Sequence, residues 1–417
     1  MTEGAAMTRL LLVIPAVAYE GGEGARLDKD FANNLSAYLA NFDAVTVLCP
    51  ALPERAAVPG SVTYLADMDG ADRATVTLLP EPYREDRYLR HRARVSQLIA
   101  AEIDRATHLL ISPHSAFDWS TLAALIAIDK RRAYDMEADW NLQNVSWAQW
   151  REMRPGPNKL RKYLWIKLHT HAYLKCMRGS SVALLQGGDV FEAYKDIAPN
   201  ARKVLNVQIT AADVIDDAAL QAKIAPVTAG QPLDIVFAGR VIDMKGPREW
   251  LAVLERVHDR GVAFRARWFG TGDILDELRG LTSRSRAGHA ITFEGAVSRA
   301  QVMDATRGAA MFLFCHKTAE SPRNLVEALA SGAPLVGFGS AYSRDLVSRH
   351  GGGAFTGMGD MDALAELVAD LHHDRSRLAA MIEQARASAM TFDRDAAIHE
   401  RIGLIKTYAE GNARQRW

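Results

Sequence analysis

Short apolar runs recur along this chain, separated by segments whose apolar positions fall three and four residues apart. That alternation predicts strands joined by amphipathic helices, an α/β protein. The first half offers strands at Leu10–Pro15, Ala44–Leu48, Ala74–Leu78, His108–Ile111 and Val182–Leu185. The second half is more regular, with strands at Leu233–Gly239, Phe264–Phe269, Ile291–Glu294, Met311–Phe314 and Leu335–Phe338. Runs this apolar, with helices between them, belong to doubly wound parallel sheets.

The helices read from the same pattern. After the first strand comes a glycine cluster, Gly21, Gly22 and Gly24, then an amphipathic helix carrying Leu27, Phe31, Leu35 and Leu39. Residues 82–107 form an arginine-rich helix with Arg84, Arg87, Arg90, Arg92 and Arg94, a solvated face by its charge. Residues 137–157 read as irregular and hold Trp140, Trp147 and Trp150. A long helix spans Lys159 to Met177, and Gly187-Gly188-Asp189 opens another as a ligand-facing turn would. Periodicity fades over 208–231, which we read as a linker between an amino-terminal domain (1–207) and a carboxyl-terminal domain (232–390). Helices at 362–390 and 394–409 close the chain, with 391–417 as a terminal helical segment.

A length of 417 residues suits two domains rather than one core. Fifty acidic residues balance fifty basic ones, so no global charge argues for a nucleic-acid partner. Cys49, Cys176 and Cys315 are far apart and odd in number, which points away from a disulfide framework and toward a reducing, cytoplasmic setting. The run Leu10–Val17 is too short to span a bilayer and lacks the cleavage site of a signal peptide. The helix Lys159–Arg178 mixes lysines and arginines with Trp165, Tyr173 and leucines. That mixture suits the surface of an anionic membrane, a peripheral contact at the inner membrane face, although a core helix with a basic outer side would read the same.

The most informative stretch is Cys315–Pro334, CHKTAESPRNLVEALASGAP, set between two apolar strands. Ser321 predicts an N-cap, Pro322 a first helical turn, and Gly332 before Pro334 a stop. Leu325, Val326, Ala328 and Leu329 make the apolar stripe. The helix N-terminus then lies at the carboxyl end of a parallel strand, and the N–H groups of Arg323 and Asn324 there favour an anion such as phosphate. An ordinary capped crossover helix would have the same ends.

The segment ESPRNLVEALASGAPLVGF resembles the donor-site signature of retaining, GT-B-fold glycosyltransferases (glycosyltransferase family 4, group 1 type). That family places an acidic residue before a helix start and a second glutamate eight positions on, in a pattern like E…LLEAMASGTPVV. Glu327-Ala328-Leu329-Ala330-Ser331-Gly332-Ala333-Pro334 fits the second half. The first half is out of register, because Ala319 stands eight residues before Glu327 and the carboxylate is Glu320. Gly239-Arg240 followed by Lys245-Gly246 is similar to the family's GR…KG motif.

The resemblance implies two Rossmann-like domains facing a cleft, an acceptor-binding domain first and a nucleotide-sugar domain second, with the last helix packed back on the first. It implies that Arg240 and Lys245 hold the donor diphosphate from a solvated cleft, replacing a metal. Gly239, Gly270, Gly272, Phe293, Gly295 and Val297 form strand-end turns around the nucleotide. Ser321, Arg323, Asn324 and Leu325 flank the diphosphate, Glu327 binds ribose, and Glu320 takes the sugar hydroxyls. His114, at the end of a first-domain strand, would lie near the reacting sugar, and Gly21, Gly22 and Gly24 near the cleft.

The expected activity is transfer of a hexose from a nucleotide diphosphate sugar, with retention, to a glycan, lipid-linked or small acceptor. Two other readings remain: a nucleotide-sugar epimerase of the same fold, and a non-catalytic subunit that binds a glycan or a partner. Asp67-Met68-Asp69 and Asp360-Met361-Asp362 match a loose D-x-D, but neither follows a buried strand, and no metal cofactor is expected.

Overall fold

The computed structural model describes residues 7–16, 18–21, 24–53, 62–80, 88–116, 118–139, 142–318 and 320–414. The chain divides into two compact units. The first comprises Met1–Gln186, Val190–Leu205 and Asp395–Trp417, and the second Gly187–Asp189 with Asn206–Arg394.

The first unit is built on a ten-stranded sheet. Its strands are β1 (Arg9–Val13), β2 (Ala18–Gly21), β3 (Gly24–Asp28), β4 (Ala44–Pro53), β5 (Val62–Tyr64), β6 (Ala74–Leu79), β7 (His108–Ile111), β8 (Asp135–Ala138), β9 (Val182–Gln186) and β10 (Ala201–Val204). The parallel body runs β10-β9-β8-β7-β1-β4, with β6 also parallel to β4. Every residue of β7, β8 and β9 is buried, as expected for strands covered on both faces.

The glycine cluster differs from the expected strand-to-helix loop. Gly21 and Gly24 are paired at the end of an antiparallel β2–β3 ribbon, and Gly22 lies outside the described residues. Leu27 therefore sits on β3, not on the helix Lys29–Leu39 that follows. Local alternation in Ala25-Arg26-Leu27 wins over the helical spacing that seemed to join Leu27 to Phe31.

Two further expectations in this unit are corrected, and a third is described only in part. The arginine-rich helix is described from Tyr88 to Arg105, and Arg84 and Arg87 lie outside the described residues. The stretch read as irregular contains the helix Leu142–Glu152, with Trp147 and Trp150 packed edge to face at 5.4 Å; Trp140 is outside the described residues. Aromatic packing stabilises a helix there that weak periodicity hides. The long basic helix runs Pro157–Gly179, a turn longer than read.

The terminal helix Arg394–Arg414 seats Ile398, Ile402 and Ile405 in the same core cluster as Leu35, Leu39 and Val47. Arg401 donates to Glu137 at 2.7 Å and to the Leu205 carbonyl at 3.2 Å, so its buried charge is paired.

The second unit carries six parallel strands in the order β13-β12-β11-β14-β15-β16. They are β11 (Leu233–Ala238), β12 (Phe264–Phe269), β13 (Ile291–Gly295), β14 (Met311–Phe314), β15 (Leu335–Phe338) and β16 (Gly353–Thr356). In chain order this is 3-2-1-4-5-6, the doubly wound arrangement whose direction reverses between its first and fourth strands. Phe237 and Trp268 lie 4.2 Å apart at the centre, and Trp250 donates from its ring to the Leu313 carbonyl at 3.0 Å. The segment expected to be a linker instead holds a helix, Asp217–Thr228, whose buried Lys223 donates to the carbonyls of Thr306 and Ser331. Lysine in an otherwise apolar stripe breaks the pattern that would have revealed it. The terminal pair read as one helix over 362–390 is two, Met361–His373 and Arg375–Ala389, because Asp374 caps the second.

Candidate functional site

The direction of the second sheet reverses between β11 and β14, and in such sheets the carboxyl ends of those two strands flank a crevice. Gly239-Arg240 leaves β11 there, and His316 to Glu320 leaves β14. Two glycines make the close approach possible. Gly246 has φ +64, and a Cβ on it would stand 1.8 Å from the Cys315 carbonyl oxygen, so only glycine brings Lys245 against the end of β14. Gly270 has φ +136, and a Cβ there would sit 2.1 Å from the Gly239 carbonyl oxygen. Backbone bonds join the neighbouring turns: Gly239 N–H to Phe269, Val241 N–H to Thr271 and Gly270 N–H to Gly295. Gly272 packs on Val241 in the same layer, and Phe293 and Val297 are half-buried.

Lys245 Nζ donates to Glu320 Oε2 at 2.8 Å. Lys245 is 8% exposed, which corrects the expectation that both cations stand in solvent; Arg240 is the exposed one. Burial pushes the Lys245 ammonium below its ordinary value, Glu320 opposes that shift, and the charge of Arg240 adds to it. His316, which the sequence reading passed over, has its Nδ1 3.7 Å from Glu320 Oε1. Burial pushes the His316 imidazole well below its usual range, and Lys245 acts in the same direction. His316, Lys245 and Glu320 thus form one cluster, although Glu320 is out of register in the sequence pattern. Among the described residues, Glu320 Oε1, His316 Nε2 and Asn324 Oδ1 are buried without a hydrogen-bond partner, the kind of deficit a polar ligand satisfies.

The signature helix spans Arg323–Ala330 with Pro322 at its N-cap, so Ser321 does not cap it as read; it lies one residue further out, beside Gly187. Proline fixes its own φ but prefers extended ψ here, which delays the first helical residue to Arg323. Leu325, Val326, Ala328 and Leu329 are buried as the stripe predicts. Asn324 donates from its side chain to the Ala238 carbonyl, fastening the helix start to the end of β11. Glu327, on the next turn, accepts from Arg299 Nε at 2.8 Å, and Arg299 Nη1 reaches Asp213 at 3.1 Å. Neither Arg299 nor Asp213 was singled out from sequence, because they are far from Glu327 along the chain. The Gly187-Gly188-Asp189 turn has a structural job: Asp189 accepts from the N–H groups of Ala341 and Tyr342, 3.0 Å each, at another helix start.

His114 belongs to the first unit, just beyond β7, where that sheet also reverses direction beside β1. It is half-buried. Asp118 next to it caps the helix Trp119–Asp129 by accepting from Thr121 at 2.7 Å. His169 accepts from the Ala116 N–H at 3.1 Å, and burial first, then His114 and Lys162, bring its imidazole down to about 4. Gly21 and Gly24 also lie in this unit, at the ribbon already described. The second D-x-D triplet is used otherwise: Asp360 caps the helix Met361–His373, and Asp362 pairs with Arg256 at 2.8 Å. Among the described residues no group of three or more His, Cys, Asp or Glu side chains is arranged to hold a metal.

Residues 222–388 match the family described as Glycosyl transferases group 1. A putative colanic acid biosynthesis glycosyltransferase, WcaL, of Salmonella typhimurium is 27% identical over 186 residues, covering 43% of this chain and 46% of that protein. WcaL of Escherichia coli is 28% identical over 169 residues, 39% and 41% of the two chains. The chain thus matches about half the length of these curated relatives. Among solved structures, Anabaena Alr3699/HepE in complex with UDP superposes with a TM-score of 0.64 at 14% identity, covering 96% of this chain and 100% of that one. WaaG, a glycosyltransferase of lipopolysaccharide biosynthesis, gives 0.63 at 12% identity, with 96% and 99% covered.

Proposed function

We propose that this chain, a group 1 glycosyltransferase of the GT-B fold by its second unit, moves a hexose from a nucleotide diphosphate sugar to a glycan or lipid-linked acceptor with retention of configuration. The observation that carries the reading is the Lys245–Glu320 pair at the sheet's switch point, with Arg240 exposed beside it and a helix start behind it. In this reading Arg240, Lys245 and the N–H groups of Arg323 and Asn324 hold the diphosphate and stabilise the charge that develops on it. The bond from the anomeric carbon to the diphosphate breaks as the bond to the acceptor oxygen forms on the same face. The acceptor's proton passes to the departing diphosphate. Glu320 orients sugar hydroxyls, and Glu327, steadied by Arg299, accepts from the ribose.

HepE has been solved in complex with UDP-glucose, which makes a uridine diphosphate hexose the first donor to test. The WcaL relatives, named for colanic acid biosynthesis, support a polysaccharide acceptor. The test is thermal stabilisation by UDP, GDP, ADP and CDP and by their sugars. A ligand at a hundredfold its Kd adds about 2.7 kcal/mol, so one nucleotide series should raise the melting temperature by several degrees. No shift with any of them overturns the reading in favour of a binding subunit. Conversion of a donor to its epimer without acceptor overturns it in favour of an epimerase.

A further inference from the structure

The helix Pro157–Gly179 presents a surface that the transferase reading does not use. From Met153 to Gly188 the chain contains no aspartate or glutamate, while Arg154, Lys159, Arg161, Lys162, Lys167, Lys175 and Arg178 all fall within it. In a chain with no net charge, that is a strong local excess. The helix buries Ile166, His169, Tyr173, Cys176 and Met177 on its inner side. On its outer side Leu160, Leu164 and Leu168 are 62%, 59% and 49% exposed. They follow one another at four-residue steps, an apolar ridge about 12 Å long. Arg161, Lys167, Lys175 and Arg178 are exposed on that same side.

Among the described residues, the other exposed large apolar side chains are Met7, Met358 and Met390, scattered singly, so the leucine ridge is the one cluster of its kind. A merely solvated basic face has no use for it. Beside the ridge, Met153, Asn158, Arg161, Lys162 and Trp165 line an open cavity of about 560 Å³. It combines two cations, an amide and an indole. Among the described residues no helix is long and apolar enough to cross a membrane, so the surface lies on a bilayer and does not enter it as a span.

We propose that this helix docks on an anionic lipid surface, its leucine ridge in the acyl boundary and its cations on headgroup phosphates, with the Asn158–Arg161–Lys162 cavity receiving one headgroup. Charge complementarity selects this occupant. A row of leucines edged by lysine and arginine, with no acid among them, fits a surface that is apolar beneath and negative above. The assignment does not depend on the transferase reading, because none of its measurements uses turnover.

The test sediments the full chain with vesicles of phosphatidylcholine alone, or of phosphatidylcholine and phosphatidylglycerol in equal parts. Binding should favour the anionic vesicles and fade with salt, as the screening length falls from about 8 Å under physiological conditions to about 3 Å in molar salt. The triple variant Arg161→Glu, Lys167→Glu, Lys175→Glu should lower the partition coefficient more than about a hundredfold, each cation being worth about fivefold. Circular dichroism checks that it folds. Leu164→Ser, at an exposed position, should weaken binding severalfold with its charge intact. Equal binding to both vesicle types, binding to neither, or a folded triple variant that binds like the parent overturns the proposal. A concentration-dependent dimer that Leu164→Ser dissolves, with no vesicle binding, overturns it too and assigns the face to a second copy.

Discussion

Asp135 offers a test of how this fold treats a buried carboxyl. It opens β8, is 2% exposed, and its Oδ1 has no hydrogen-bond partner among the described residues. Burial pushes its carboxyl up to about 8, so the folded protein holds it protonated at neutral pH. In the unfolded chain the same group loses its proton near 3.9. A folded-state value raised above the unfolded one gives stability that is full below about pH 4 and is lost as pH climbs toward about 8. Linkage with these two values gives a loss of about 3–4 kcal/mol between pH 5 and pH 8, an upper figure because water penetration softens burial.

Asp135→Asn keeps the shape and removes the titration. Calorimetric melting of parent and variant at both pH values isolates Asp135, since every other group titrates in both proteins. The variant should be equal to the parent or slightly weaker at pH 5, by about 1 kcal/mol for an imperfectly paired amide. At pH 8 it should melt higher, by on the order of 5–10 °C for a unit of this size. If the difference between the two proteins is the same at both pH values, Asp135 does not carry the proton and the reasoning fails.

Three other outcomes follow from the candidate site. Arg240→Ala and Lys245→Ala should each lower turnover by about 100- to 1,000-fold. Only Lys245→Ala should also lower the melting temperature, since it strands Glu320; identical melting of the two would contradict the buried pair. Glu327→Ala should weaken a bare nucleoside diphosphate by about tenfold to a hundredfold, the value of one hydrogen bond to a charged acceptor. Glu320→Ala should spare that affinity and lose the sugar-dependent part, a contrast calorimetric titration measures directly; equal losses for both would sink the division of roles. Transfer should persist in excess EDTA, and loss that manganese or magnesium restores would bring a metal into the mechanism.

Much of this protein was legible as sequence because local rules and tertiary needs agree. Leu233–Ala238 and Met311–Phe314 are apolar enough to be read as buried strands, and the structure uses them as the central pair of the second sheet. The GR…KG and ESPRNLVEALASG segments announce themselves because each packs its own chemistry into consecutive residues. Glu320 shows where that legibility ends. In the sequence it is one residue late; in the structure a loop places its carboxylate on Lys245, seventy-five residues earlier in the chain. Arg299 and Asp213 were silent for the same reason, since a partner far along the chain leaves no spacing to read; His316 stands only four residues before Glu320, and only the loop's path brings the two side chains together.

Local patterns also misled where packing overruled them. Leu27 has the spacing of a helix but pairs in a ribbon, and Lys223 disguises a helix because its ammonium finds buried carbonyls that only the fold supplies. The exposure of Leu160, Leu164 and Leu168 is the sharpest case. Sequence determined that the helix would be both apolar and basic, but two of its sides are apolar, and only packing against the first unit's core decided which one was buried. Periodicity fixes which residues share a face; the neighbours that a face meets are set by contacts distant in the chain.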